Sequence, residues 1–405
     1  MSTPLFADVP LAPRDPILGI TETFRADPRL NKANLGVGVY FGEDGKIPLL
    51  AAVRDAEAAI LAAGQPHGYQ PIEGVADYNK AVQGLLLGAD SAIIAAGRAA
   101  TFECLGGTGA LKVAADFLHR LRPQARAWIS KPSWENHRAL FEYAGFEVLE
   151  YPYYDPATHG LNFAGMLDRL GGLPEGDVVV LHICCHNPTG VDLDLTQWQQ
   201  VAAVCAERGL VPVLDLAYQG FAEGINEDAA GLRCFIDAGL NVLIASSFSK
   251  SFSLYGERIG ALTITTDDAD QTERVTSQVK RVIRTNYSNP PIHGGEIVKR
   301  ILGDARLRAT WEQELAGMRT RIRAMREGLV ERLHALQSAR DFSFVARQRG
   351  MFSYSGLNAA QVEHMAREHG IYAVSSGRIC LAAINMSNID AVAAAMADAL
   401  ARVPA

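Results

Sequence analysis

Three apolar runs in the middle of this 405-residue chain each end in side chains that can hold or move a proton. DVVVLHICC runs into His186-Asn187-Pro188-Thr189-Gly190. LVPVLD ends at Asp215, with Tyr218 three residues on. NVLIASSFS ends at Lys250. Open parallel sheets bind ligands beyond the carboxyl ends of their strands. An amide, an acid, a phenol and an amine would then share one rim. Lys250 alone, just past a buried strand, reads as a solvated loop charge; in this company it becomes a candidate for chemistry.

A fourth piece is LGGTGALKVAADFL, which begins at Leu105. Its apolar residues at 110, 113, 114, 117, 118 and 121 have helical spacing. The glycines and Thr108 would open that helix, and bare amides with a hydroxyl suit a phosphate group. It is neither a P-loop nor a G-x-G-x-x-G motif. No clear strand is read as running straight into it, and alone it serves equally as a tight turn. A phosphate cradle, an acid, a phenol and a lysine on one rim suggest pyridoxal phosphate. That cofactor needs a lysine for its Schiff base and an acid to keep the pyridine nitrogen protonated.

The elements that must position these groups are legible as a pattern. From about residue 100 to 270, continuous apolar strands alternate with helical stretches such as LTQWQQVAAVCAERG and EDAAGLRCFIDAG, which end in glycine. That alternation predicts an α/β fold, a mostly parallel sheet covered by helices on both faces. The last ninety residues read differently: DFSFVAR, MFSYSGL, IYAVSS and GRICLAAI as short strands, with helices at roughly 359–369 and 387–402. This predicts a smaller α+β domain, joined by a charged helix beginning near Trp311. A further helix is expected after an Asp15-Pro16 start. The expected division is an N-terminal arm (1–13), a small domain (14–45 with 316–405) and a large cofactor-binding domain (46–315).

The bulk composition, 48% hydrophobic and 20% charged, is that of a globular protein, and the net charge of −7 argues against a nucleic-acid partner. The first residues lack a basic segment and an apolar core, and no run approaches the roughly 20 apolar residues of a membrane helix. Six cysteines without a CxxC pair fit reduced thiols and a cytoplasmic location. His182, Cys184, Cys185 and His186 invite a zinc reading, but strand alternation would split them between two faces, so no metal is expected.

The motifs NLGVGVY, GGTGA, PSWENH, HNPTG, DLAYQG, SFSK, ERIG and RTNYSNPP, in that order, resemble those of class I aminotransferases of the aspartate and aromatic type. The resemblance runs from about Pro13 to Ala383. It implies that Lys250 holds pyridoxal phosphate and moves the substrate proton. Asp215 would pair with the ring nitrogen, with His137 behind it. Tyr218 and Asn187 would bind the phenolic oxygen, and Trp134 would lie against the ring. Gly107, Thr108, Ser247 and Arg258 would hold the phosphate, joined by Tyr69 from a neighbouring subunit; hence a homodimer is expected. Arg378 would grip the α-carboxylate, assisted by Gly38 and Asn187, and Arg284 would read a second carboxylate across the interface.

That second arginine implies 2-oxoglutarate as amino acceptor. For the donor, Phe41 and Ile47 stand where aspartate-preferring relatives commonly carry lysine and threonine, and they resemble aromatic-amino-acid members. Val39, Thr108 and Asn289 follow the aspartate-type pattern. The expectation is use of tyrosine and phenylalanine, with aspartate beside them; the alternative is an aspartate-preferring enzyme. A pyridoxal-phosphate lyase or decarboxylase is disfavoured by the paired arginines. A non-catalytic ligand-binding relative could dispense with Lys250.

Overall fold

A computed structural model describes residues 5–12, 17–338 and 340–404. Its centre is a seven-stranded sheet built from Ala99–Leu105 (β1), Ala127–Lys131 (β2), Val148–Pro152 (β3), Val178–His182 (β4), Val211–Leu216 (β5), Leu243–Ser247 (β6) and Ile259–Thr265 (β7). The spatial order is β1-β7-β6-β5-β4-β2-β3. β6, β5, β4, β2 and β3 run parallel, whereas β7 is antiparallel to both β1 and β6.

The strands are apolar without interruption because the sheet feeds two cores. Val178 and Val180 pack into one, with Val213, Leu243 and the helix Gly106–Leu121. Val179 and Leu181 pack into the other, with Leu214, Leu216 and the helix Leu195–Arg208. That second helix starts at a capping box, Asp194 with Gln197, and stops at Gly209 in the left-handed region (φ 62°).

Residues 33–34 pair in parallel with residues 371–372, and Phe352–Tyr354 pairs antiparallel with Arg378–Cys380. The helix Ala305–Ala335 runs 31 residues. From it the buried Arg326 guanidinium donates to the carbonyls of Val345, Gly350 and Phe352. A cation surrounded by carbonyl dipoles fixes the C-terminal strands to the long helix.

Two expectations need correction. DFSFVAR is not a strand: Ser343–Arg347 is a helical turn, entered where the Asp341 carboxylate accepts from the Ser343 N–H and Oγ–H. Such a local Asx bond offers the backbone a turn in place of a ladder. A strand does run straight into the glycine cluster: β1 ends at Leu105 and the helix begins at Gly106. Thr101 and Glu103 disguise β1, yet both are buried. The Asp15-Pro16 helix start lies outside the described residues; a helix is present at Leu18–Ala26.

All six cysteines are free and buried. Among the described residues, no helix is long and apolar enough to cross a membrane.

Candidate active site

Strand order explains why distant residues meet. β4, β5 and β6 are adjacent, with His182 opposite Asp215 and Asp215 opposite Ala245. Their carboxyl ends therefore deliver Asn187, then Asp215 and Tyr218, then Ser247 and Lys250 to one rim. β1 points the same way and delivers Gly107 and Thr108. β7 runs opposite, so its start lies at that rim, directly after Arg258. β2 leads through Pro132 to Trp134 and His137.

These groups line one cavity of about 380 Å³, with Gly38, Phe352 and Arg378 closing it from the C-terminal side. Of the residues expected from sequence, Lys250, Asp215, Tyr218, Asn187, Trp134, Gly107, Thr108, Ser247, Arg258, Gly38 and Arg378 all line it. His137 sits behind the wall, fully buried: its Nε2 is 2.8 Å from Asp215 Oδ2, and Nδ1 is 2.9 Å from Ser133 Oγ.

Tyr69, Arg284, Phe41 and Ile47 do not line the cavity of a single chain. Tyr69 is 96% exposed, and Arg284 projects from the exposed last turn of the helix Ala269–Asn286, bonded to Ser288. Phe41 is half-buried, and Ile47 is exposed.

The electrostatics are those of a proton-handling site. Burial pulls the Lys250 amine down to about 8, the nearby Asp215 charge resisting and the Arg258 charge assisting. Its Nζ lies 4.8 Å from the centroid of the Tyr218 ring. Burial pushes the Asp215 carboxyl up. The His137 hydrogen bond, with the His137, His182 and Lys250 charges, outweighs burial and leaves it below the usual carboxylate range. Asp215 is thus held as an anion at neutral pH. Burial raises the Tyr218 phenol well above its ordinary value, so it stays protonated.

Arg378 is 1% exposed. Its Nη1 donates to Asn187 Oδ1 at 3.1 Å and its Nη2 to Gly36 O at 2.7 Å, while Nε has no partner among the described residues. A buried guanidinium with an idle donor beside a cavity is prepared for an anion. The Phe352 ring lies under it, 4.4 Å from the guanidinium carbon. Gly38 leaves room for that ring: a Cβ there would come within 2.7 Å of Phe352 Cζ.

The other end of the cavity is a cradle of donors. Gly106 has φ +68°, and a Cβ on it would meet Arg258 Nη2 at 2.6 Å. Arg258 Nη1 is tied to Tyr255 O at 3.0 Å and Ser249 Oγ at 3.3 Å. Arg258, Ser247, Ser249, Thr108 and the start of the helix at Gly106 together make a cationic, donor-lined end suited to a phosphate. The donors at one end, the Lys250 amine between, and the His137-backed Asp215 fit pyridoxal phosphate.

Ser249, Tyr255, Ala217 and Phe352 also line the cavity and were not singled out from sequence. Ser249 and Tyr255 lie in the SFSK and LYGER runs, so proximity to Lys250 and Arg258 was the available signal. The H182-I-C-C-H186 run does not gather into one ligand cluster. His182 faces His137 and Asp215, Cys184 and Cys185 lie with Asp228, and His186 is bonded to Ser130 and Thr189.

Fold and rim together define a pyridoxal-phosphate-dependent aminotransferase. Residues 31–396 match the family described as Aminotransferase class I and II, and the chain belongs to that family. It is 60% identical, over 98% of its length and 100% of the relative's, to an aspartate aminotransferase of Pseudomonas aeruginosa. It is 49% identical to the aromatic-amino-acid aminotransferase of Escherichia coli, covering 97% and 99% of the two chains. Among solved structures, an aromatic-amino-acid aminotransferase of Burkholderia pseudomallei, covalently bound to pyridoxal phosphate, superposes with a TM-score of 0.96 at 64% identity, over 98% and 100% of the two chains.

Proposed function

We propose that this enzyme transfers the amino group of tyrosine, phenylalanine and aspartate to 2-oxoglutarate, with the cavity residues in the roles the rim suggests. The observation that carries the reading is the placement of Lys250, the Asp215–His137 pair and Arg378 on one cavity. Pyridoxal phosphate, when bound, supplies an aldehyde that takes up the amino group and a cationic ring that withdraws electrons.

The protein's part is to position and to move protons. Lys250, poised near neutrality, takes the proton from the substrate α-carbon and would return it to the carbon on the far side of the amino nitrogen, two atoms away. Asp215, fixed by His137, keeps the ring nitrogen protonated. Tyr218 and Asn187 donate to the phenolic oxygen. Arg258, Ser247, Gly107 and Thr108 hold the phosphate. Arg378 binds the α-carboxylate as a planar fork, with Gly38 leaving room for the Phe352 ring that lies under it.

Tyr69 and Arg284 stand on the outside of one chain, which supports a homodimer in which each reaches the partner's cavity. Such an arrangement would put a second carboxylate reader in each site and favour dicarboxylate substrates. The division into an arm, a small domain and a large domain is part of the proposal; the pairing of residues 33–34 with 371–372 supports it.

Phe41 and Ile47 lie outside the single-chain cavity; in the proposed homodimer they would form an apolar mouth, which would support aromatic donors by shielding a ring at about 25 cal/mol per Å². The names of the relatives divide between aspartate and aromatic substrates, as expected for dual use. A coupled assay over a panel of donors, with 2-oxoglutarate as acceptor, tests the reading. A several-hundredfold preference for aspartate over phenylalanine defeats the aromatic part. Keto-acid product without 2-oxoglutarate points to a lyase.

A further inference from the structure

The helix that begins at Ala359 changes character at Met365: the turn Met365–His369 is a π-helix, closed by Gly370 at φ 70°. In a regular α-helix, residues five apart lie about 140° apart around the axis. The wider turn brings His364 and His369 onto one face, their ring centroids 5.9 Å apart. Single π turns of this kind are rare and concentrate at functional sites.

Both imidazoles converge on one oxygen of the helix Ile389–Arg402. His364 Nε2 lies 2.8 Å and His369 Nε2 2.9 Å from Asp398 Oδ2. The other oxygen, Oδ1, accepts from Arg402 Nε at 2.5 Å, which fixes the plane of the carboxylate. The three ligand atoms all lie within 4.8 Å of one another.

We propose that His364, His369 and Asp398 form a binding site for a divalent transition-metal ion, zinc by preference, clasping two helices near the C-terminus. Two imidazoles and a carboxylate are borderline donors that suit zinc, cobalt or nickel rather than calcium or magnesium. Bonds of about 2.0–2.2 Å to a tetrahedral ion place its ligand atoms about 3.3 Å apart. The two His–Asp separations need to open by only about half an ångström, and the two imidazole nitrogens already lie within 4.8 Å of each other. Arg402 supplies the outer hydrogen bond that orients a metal-binding carboxylate. His364 is buried, whereas the His369 side chain is 31% and the Asp398 side chain 27% exposed, leaving an entry path and a coordination position for water.

Two other clusters lack these properties. His137, His182 and Asp215 belong to the active site. Asp228, beside Cys184 and Cys185, already accepts from the N–H groups of Gly220, Ala222, Glu223 and Gly224. The proposed site does not depend on the substrate reading, and it is remote in sequence from every cavity residue but Phe352 and Arg378.

The test is titration of chelator-treated, dialysed holoenzyme with zinc chloride at pH 7.5 by calorimetry, repeated with cobalt(II) followed by visible absorption. One ion per chain is expected, with binding weakened about tenfold or more in both His369→Ala and Asp398→Asn. Zinc should also raise the Tm of the parent and leave that of the variants unmoved. Absence of binding in the parent, or equal binding in parent and both variants, overturns the proposal. Far-UV circular dichroism of the variants establishes that they are folded, and both substituted positions are partly exposed.

Discussion

His137 Nε2 stands 2.8 Å from Asp215 Oδ2, with both side chains almost wholly buried, so the acid at the cavity wall is oriented from behind and kept anionic. If that charge is what keeps the cofactor nitrogen protonated, Asp215→Asn should bind pyridoxal phosphate yet lose at least ~100-fold in kcat. Single-turnover kinetics with saturating cofactor measures it.

Lys250 carries a pH prediction. Burial lowers its amine to about 8, so the nucleophilic free base accumulates as pH rises to that value. The rate at which apoenzyme captures pyridoxal phosphate should climb ~tenfold per pH unit below about pH 8, then level. An ordinary lysine would keep climbing past pH 10.

Arg378 makes two bonds through its outer nitrogens and, among the described residues, keeps Nε idle. Arg378→Lys preserves charge but loses the fork. It should raise KM for both amino donor and 2-oxoglutarate by about 10–100-fold, the worth of one charge-assisted hydrogen bond. Steady-state kinetics with each substrate varied in turn checks this.

The legible part of this molecule was the part written in local chemistry. Strands β4, β5 and β6 announce themselves because both faces are buried, and each ends in the polar group that its position on the rim exploits. β1 was hidden because Thr101 and Glu103 interrupt the apolar run; the sheet tolerates them because Thr101 bonds Thr263 across the strands and Glu103 tucks beneath Gly74 and Gly295. Phe352 was placed on a short strand, but its packing under Arg378 is a long-range contact that no local pattern encodes. Tyr69 and Arg284 remain outside the cavity, since one chain holds only half of the arrangement proposed for them.

Glu103 supplies a stability prediction. It is 1% exposed, and burial pushes its carboxyl from 4.5 up to about 8. The native state therefore holds a proton that the unfolded chain has released. Stability from this group is fully present below about pH 4.5 and is lost as pH rises to about 8. Glu103→Gln should flatten that decline, and at pH 8 should be more stable than the parent by an amount on the order of a few kcal/mol. Urea melts at pH 5 and pH 8 make the comparison.

A mixing experiment addresses the shared site. Lys250→Ala and Arg284→Ala chains are each expected to be nearly inactive on aspartate. Exchanged one to one, half of the dimers are hybrids and half of the hybrid sites are intact, so about a quarter of parental activity should return. No recovery would place Arg284 outside the partner's site.

The most direct test of the account is borohydride reduction of the cofactor-loaded enzyme, followed by peptide mass spectrometry. A pyridoxyl adduct on Lys250 is the expected result. An adduct on another lysine, or none at all, would contradict it.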